Sequence, residues 1–265
     1  MDNSAYVKER VKSICEHEES TLNTLYKRLR EFKLSGIVSN FEERLTFTSQ
    51  NQIGYSEFLE LLCEDEVNNR ANNSYKKRLS KAKIPSRKTL EDFDFAFQPS
   101  INKKQINDAY TCQFVRESRN LIFIGNPGTG KTHLSIAIGL NAIAKGFKVL
   151  FTGVGEMLDQ LHMAKADNSY YKKLQDYLTP DLLILDELGF KALPNYAADD
   201  FFDVISKRYE KGSCIITTNK TFEQWGEIFT DNILASAILD RVVHHSVIFK
   251  INGQSFRAKN IKETS

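Results

Sequence analysis

Residues 125–134 read GNPGTGKTHL, in the middle of a chain of 265 residues. Gly125, Asn126, Pro127, Gly128, Thr129, Gly130, Lys131 and Thr132 complete the pattern G-x-x-x-x-G-K-[ST], and His133 follows directly. A phosphate chain explains this spacing. Glycines let the backbone approach where a Cβ would stand in the way, and they supply the positive φ that the wrap requires. A helix opening at the end of the loop aims its free N–H groups at the anion. Lys131 then neutralises the β- and γ-phosphates, and the Thr132 hydroxyl reaches Mg²⁺. The pattern needs a strand before it and a helix after it, and LIFIG (121–125) and LSIAIGLNAIA (134–144) provide both. The stretch predicts ATP and Mg²⁺, held by residues 125–133 in an α/β fold.

Four further apolar runs lie downstream: KVLFTG (148–153), LLILDE (182–187), SCIITTN (213–219) and SVIFKI (246–251). Continuous runs bounded by turn residues fit strands buried on both faces of a parallel sheet. Helices between them, such as FFDVISKRYE (201–210), complete a doubly wound order. LLILDE delivers Asp186 and Glu187 to the end of its strand, where such folds bind ligands. Asp186 is the expected Mg²⁺ holder beside Thr132. Glu187 is the expected general base or water-orienter for attack on the γ-phosphate. Asn219 ends the next strand, where an amide can position that water. Arg241, in SAILDRVVHHS (236–246), is an ordinary surface arginine unless a neighbouring subunit's phosphate lies before it. An arginine acting in trans is worth about 10³–10⁵ in rate. Lys131, Glu187, Asn219 and Arg241 form the expected catalytic set.

The first hundred residues show helical spacing instead. Leu22, Leu25, Leu29 and Phe32 form one stripe, and Ile37, Phe41 and Leu45 a second after a break near Ser35-Gly36. Phe58, Leu59, Leu62 and Val67 form a third, opening beside Ser56, a side chain suited to cap it. RANNSYKKRLSKAKIPSRK (70–88) carries Arg70, Lys76, Lys77, Arg78, Lys81, Lys83, Arg87 and Lys88 without one acidic residue. Pro85 stops the helix that this segment continues. The expected division is therefore a helical domain with a basic arm (1–88), a linker (89–100) that docks on the next domain, and an ATPase domain (101–265). INKKQINDAYTCQF (101–114) reads as a helix.

Composition bounds the remainder. The chain is 41% hydrophobic and 26% charged, a globular balance, and its net charge of +2 is too small to indicate nucleic acid by itself. Cys15, Cys63, Cys112 and Cys214 lie far apart with no C-x-x-C pair, which argues against a zinc or disulfide framework. The pair His244 and His245 reads as surface, because adjacent side chains point apart on a regular element. No run approaches the roughly 18 apolar residues of a membrane span, and the start is polar. A soluble, cytoplasmic protein is expected.

The phosphate loop, LLILDE, IITTN, the arginine of ILDR and the short tail together resemble an AAA+ ATPase of the initiator and loader branch. Few residues follow Arg241, too few for the helical lid that most such proteins carry. Two families share that truncation: the DnaC-type helicase loaders and the IstB-type helper ATPases of insertion sequences. LREFKLSGI (29–37), YSEFLELLCEDEVNNR (55–70), KAKIPSRKTLEDFDF (81–95) and GQSFRAKN (253–260) resemble the IstB type. The resemblance spans nearly the whole chain, and the choice of family rests on the N-terminal segments. It implies a P-loop AAA+ domain, a parallel sheet sandwiched by helices with no full lid, preceded by a small all-α domain. It implies a transposition helper that oligomerises with ATP on duplex DNA, presents that DNA to a partner transposase, and uses hydrolysis to time release. Arg241 matches the trans arginine position, and Arg257 is similar to a second sensor arginine at the nucleotide. Lys76, Lys77, Arg78 and Lys81 become candidate DNA contacts. So do Lys165, Lys172 and Lys173 in HMAKADNSYYKKLQ (162–175), where this branch places a DNA-facing helical insertion. Two alternatives keep the same loop: a helicase loader acting on single strands, and an ATP-gated DNA scaffold with negligible turnover.

Overall fold

The computed structural model describes residues 21–190, 193, 197–229, 231–256 and 258. The chain divides into two compact units, Met1–Lys76 and Lys77–Ser265. The basic segment thus contributes to both. Residues 89–100, expected as a linker, are counted wholly with the second unit.

In the first unit, residues 21–31 form helix α1, followed by α2 (Ser35–Asn51) and α3 (Tyr55–Lys81), whose last residues belong to the second unit. The start of α2 has no side-chain cap of its own. Glu66 on α3 supplies one, accepting from the backbone N–H of Gly36 at 2.7 Å and of Ile37 at 3.4 Å. Only glycine permits that approach, since a Cβ on Gly36 would come within 2.6 Å of the Asp65 carbonyl. Arg70 holds Glu66 at 2.6 Å, and Arg44 holds Asp65 through two bonds of 2.8 Å. Tyr26, Phe41 and Phe58 stack edge to face as the core of this unit. The expected apolar stripes are only partly buried. Leu62 and Phe41 are inside, but Leu22, Phe32, Leu59 and Val67 are exposed. Ser56 lies within α3, which already begins at Tyr55.

The second unit continues with α4 (Lys103–Tyr110), α5 (Gln113–Arg116), β1 (Asn120–Gly125), α6 (Lys131–Ala144), β2 (Val149–Gly153), α7 (Val154–Ala166) and α8 (Tyr170–Leu178). Then come β3 (Leu182–Leu188), α9 (Ala197–Arg208), β4 (Ser213–Thr218), α10 (Trp225–Phe229), α11 (Asn232–His244) and β5 (Ser246–Ile251). The single helix expected over 101–114 is broken. Asn102 caps α4 through its side chain, and the left-handed backbone at Cys112 (φ 62°) separates α4 from α5.

All strand pairings are parallel, in the order β2-β3-β4-β1-β5. The continuous apolar character of the runs is explained by burial on both faces: β4 is buried at all six positions, and β1 at its four central ones. One feature of this order builds the site. The strand carrying IITT lies between the loop-bearing β1 and the acid-bearing β3. The chain therefore brings three strand ends from distant sequence to one place.

Candidate nucleotide site

The phosphate loop joins β1 to α6 with Gly130 as the helix-entry residue. Gly128 and Gly130 have φ of 79° and 98°, a region that L side chains rarely adopt. Thr129 is buried and its hydroxyl donates to the Asn126 carbonyl at 2.8 Å, holding the loop's curve. Lys131 donates its ammonium to the carbonyls of Gly125 at 2.6 Å and Asn126 at 2.9 Å. The cation therefore lies along the loop that phosphates enter. His133 follows at the start of α6 and lines the cleft beside the loop. Its Nε2 is 2.7 Å from the Thr89 carbonyl and its ring packs edge-on against Phe93.

Thr132 donates its hydroxyl to both oxygens of Asp186, at 2.9 and 3.1 Å. A hydroxyl beside a buried carboxylate is a hard-oxygen pair of the kind Mg²⁺ prefers, so the residues present fit the ion. The pairing between β3 and β4 slips between Leu185 and Leu188, leaving Asp186 and Glu187 in the irregularity. Glu187 is held at φ 64°. Bulges and left-handed non-glycine residues cluster where a fold re-aims functional side chains. The side chain that fixes this geometry is Thr217 of β4. Its hydroxyl donates to Asp186 Oδ1 at 2.5 Å and accepts from the Glu187 N–H at 3.0 Å. Asn219 follows β4, and its side-chain oxygen is buried without a hydrogen-bond partner.

A cleft beside the loop is walled by Phe93, Phe97 and Phe256. Phe97 and Phe256 meet edge to face at 5.3 Å, and the Phe256 N–H donates to the Gly128 carbonyl at 3.0 Å. Gln98 donates to the Gln254 carbonyl at 2.9 Å, which ties the 89–100 segment to the chain after β5. Sequence reasoning missed Thr217 and these aromatics. The clustering of phenylalanines in FDFAF (93–97) was the available signal for the cleft. Arg257 lies outside the described residues.

Arg241 lies elsewhere. It sits near the end of α11, donating to the Ala237 carbonyl at 2.9 Å with its guanidinium 4.9 Å over the Phe202 ring. The next residues run to the start of the sheet, where the Asn120 N–H donates to the His245 carbonyl at 2.9 Å. Asn120 opens β1 and Gly125 closes it. About 17 Å of strand, at roughly 3.3 Å per residue, therefore separates that end from the phosphate loop. Loop, Asp186, Glu187 and Asn219 share one end of the sheet, and Arg241 belongs to the other.

The candidate DNA contacts divide too. Arg78, Lys81 and Lys173 converge, with Lys83 and Lys148, on a cavity of about 490 Å³ beside the outer strand β2. Asp176 is the one acid in its lining. Arg78 also donates to the Ile143 carbonyl at 3.2 Å, and Lys173 pairs with Asp176 at 3.4 Å. Lys165, exposed, pairs with the buried Asp200 at 2.7 Å and lies over the Tyr170 ring. Burial, with hydrogen bonds to Asp203 and Asp200, pushes the Tyr170 phenol far above its ordinary range. Lys77 and Lys172 are exposed outside that cavity lining, and Lys76 belongs to the first unit.

A parallel sheet with a crossed-over strand between loop and acids is the arrangement of AAA+ ATP-binding modules. Residues 27–264 match the family described as IstB-like ATP binding protein, and the chain belongs to that family. It is 41% identical over 213 residues to a protein of insertion sequence IS5376 of Geobacillus stearothermophilus named for ATP binding, covering 80% of this chain and 85% of the relative. Over 231 residues it is 40% identical to a corresponding protein of insertion sequence IS21 of Pseudomonas aeruginosa, covering 87% of each. The solved structure of DnaI superposes with a TM-score of 0.52 at 25% identity, over 62% of this chain and 91% of that one. Among the described residues, no helix is long and apolar enough to cross a membrane.

Proposed function

We propose that this insertion-sequence ATP-binding protein is an ATPase whose site is completed by a second copy, and that its ATP-bound oligomer grips duplex DNA for a partner transposase. The observation that carries this reading is the separation of Arg241 from the loop of its own chain. The loop, Thr132, Asp186, Glu187 and Asn219 lie at one end of the sheet. The cation that such hydrolysis requires for charge developing on the γ-phosphate is at the other.

The chain's own groups take the following parts. Lys131 turns from the carbonyls of Gly125 and Asn126 to the phosphates, exchanging neutral acceptors for anionic ones. Thr132 and Asp186 would hold Mg²⁺, which when bound would neutralise phosphate charge. Glu187 accepts a proton from the attacking water as its oxygen bonds to the γ-phosphorus, and the bond to the β-phosphate oxygen breaks to leave ADP. The unpaired Asn219 oxygen accepts the water's other hydrogen. Phe93, Phe97 and Phe256 offer ring faces and edges for the base. Arg78, Lys81, Lys83, Lys148 and Lys173 supply a concentrated positive cavity for DNA phosphates.

Mixing two inactive variants tests the shared site. Lys131→Ala removes the loop cation and Arg241→Ala the distal one, so each alone is expected to lose hydrolysis. Mixed oligomers contain junctions with an intact loop facing an intact arginine. Recovery of turnover on mixing is expected, and a mixture as inactive as its parts would overturn the proposal.

A further inference from the structure

Glu210, His244 and His245 come together at the end of the sheet opposite the phosphate loop. α9 ends at Arg208, two residues before Glu210, and α11 ends at His244. His245 leaves the helix at φ −121° and ψ 43°, and this turn brings consecutive imidazoles together. Their ring centroids are 4.0 Å apart, the reverse of the divergence expected for neighbours on a regular element. Glu210 Oε1 lies 3.2 Å from His245 Nε2. One carboxylate oxygen and one nitrogen of each ring all fall within 4.8 Å of one another.

We propose that these three side chains bind one divalent transition ion of the zinc, cobalt or nickel type. The donor set selects that class: imidazoles suit these borderline ions, whereas Mg²⁺ and Ca²⁺ take oxygen ligands. Ligands about 2.0–2.1 Å from a tetrahedral ion lie roughly 3.3 Å from each other. Glu210 and His245 already stand at that spacing. His244 is exposed, so rotation of its side chain can close the remaining gap. The Tyr209 hydroxyl is 2.7 Å from His244 Nδ1, a contact of the sort that orients a ligating histidine from outside. The site also lies at the carboxyl end of the 13-residue α11, where the helix dipole favours a cation. Arg241, three residues before His244, opposes the ion, and the Glu210 carboxylate offsets it. Because Arg241 and His244 share a helix face, a bound ion ties the arginine-bearing end of α11 to the turn after α9. Three protein ligands leave a fourth position for water or for a donor from outside the chain.

Titration of the nucleotide-free, full-length protein with Co²⁺ tests this. One ion per chain is expected, with visible absorption of a nitrogen- and oxygen-ligated centre, displacement by Zn²⁺, and a rise in melting temperature. His244→Ala and His245→Ala should each weaken binding by at least tenfold, and the pair together should abolish the spectrum while circular dichroism stays native. Asp186→Asn should leave the cobalt spectrum unchanged. The proposal is overturned by undiminished binding in the double histidine variant, by loss of the spectrum in Asp186→Asn, by a thiolate charge-transfer band, or by no binding at millimolar Co²⁺.

Discussion

Replacing Thr217 by valine should disable the acid pair without touching either acid. The hydroxyl makes two buried bonds, to Asp186 Oδ1 at 2.5 Å and from the Glu187 N–H at 3.0 Å. Valine keeps the shape and removes both. The Glu187 N–H is then left without its acceptor, and Asp186 loses one of its two hydroxyl donors while keeping Thr132. Losing one partner of a buried hydrogen bond costs about 1–3 kcal/mol, so the two together amount to about 2–6 kcal/mol. In a domain of 150–250 residues each kcal/mol lowers the melting temperature by about 2–4 °C, giving a fall of roughly 4–24 °C. Thermal melting of Thr217→Val and Thr217→Ser, with and without Mg²⁺-ATP, reads this directly. Serine retains the hydroxyl and should recover most of the loss. The valine variant should also show a smaller nucleotide-induced rise, because Asp186 and Glu187 no longer hold their positions. A valine variant that melts and responds to nucleotide like the native protein refutes the reasoning, as does a serine variant no better than valine.

Two further perturbations reach other parts of the chain. Gly130→Ala forces a side chain onto a backbone at φ 98° and brings its Cβ within 2.5 Å of Phe93. It should cost about 1–2 kcal/mol and weaken nucleotide binding at least tenfold, and adding Phe93→Ala should relieve only the steric part. Calorimetric titration with Mg²⁺-ATP and melting curves separate the two. In the first unit, hydrogen bonding from Arg44 lowers the Asp65 pKa against its burial. For Glu66, burial pushes the pKa up, but bonds from Arg70, Gly36 and Ile37 outweigh it. Both folded values lie below the unfolded ones, so their stabilisation is full above the unfolded range near pH 4 and is lost as pH falls through the folded values. Acid titration followed by helical circular dichroism should show that loss below about pH 4, and Asp65→Asn with Glu66→Gln should flatten it.

The phosphate loop was legible because its chemistry is local: eight consecutive residues specify turn, helix start and cation together. The strands were legible because burial on both faces leaves no polar alternation to confuse them. Asn219 could be placed because β4 neighbours β3, as the sheet order requires. Thr217 was not legible, since in IITTN it is an ordinary strand threonine until β3 slips register beside it. Docking of the aromatic 89–100 segment on the next domain was legible from its composition, but not that it docks beside the phosphate loop about thirty residues downstream. The surface reading of His244 and His245 holds, with His244 exposed, but their side chains converge rather than diverge, because the rule of diverging neighbours assumes a regular backbone and the helix ends between them. The N-terminal stripes were overread. Helical spacing marks one face, but Leu59 and Val67 remain exposed while Leu62 is buried.

The most direct test of the account is DNA binding by the purified protein with a slowly hydrolysed ATP analogue, on long duplex and on single strands, across a salt series. Phosphate-dominated binding predicts that the logarithm of affinity falls linearly with the logarithm of salt. Assembly on duplex is expected to require the analogue and to weaken when Lys81, Lys83, Lys148 and Lys173 are neutralised. Duplex affinity equal with and without the analogue would contradict it, and a preference for single strands would favour the helicase-loader reading instead.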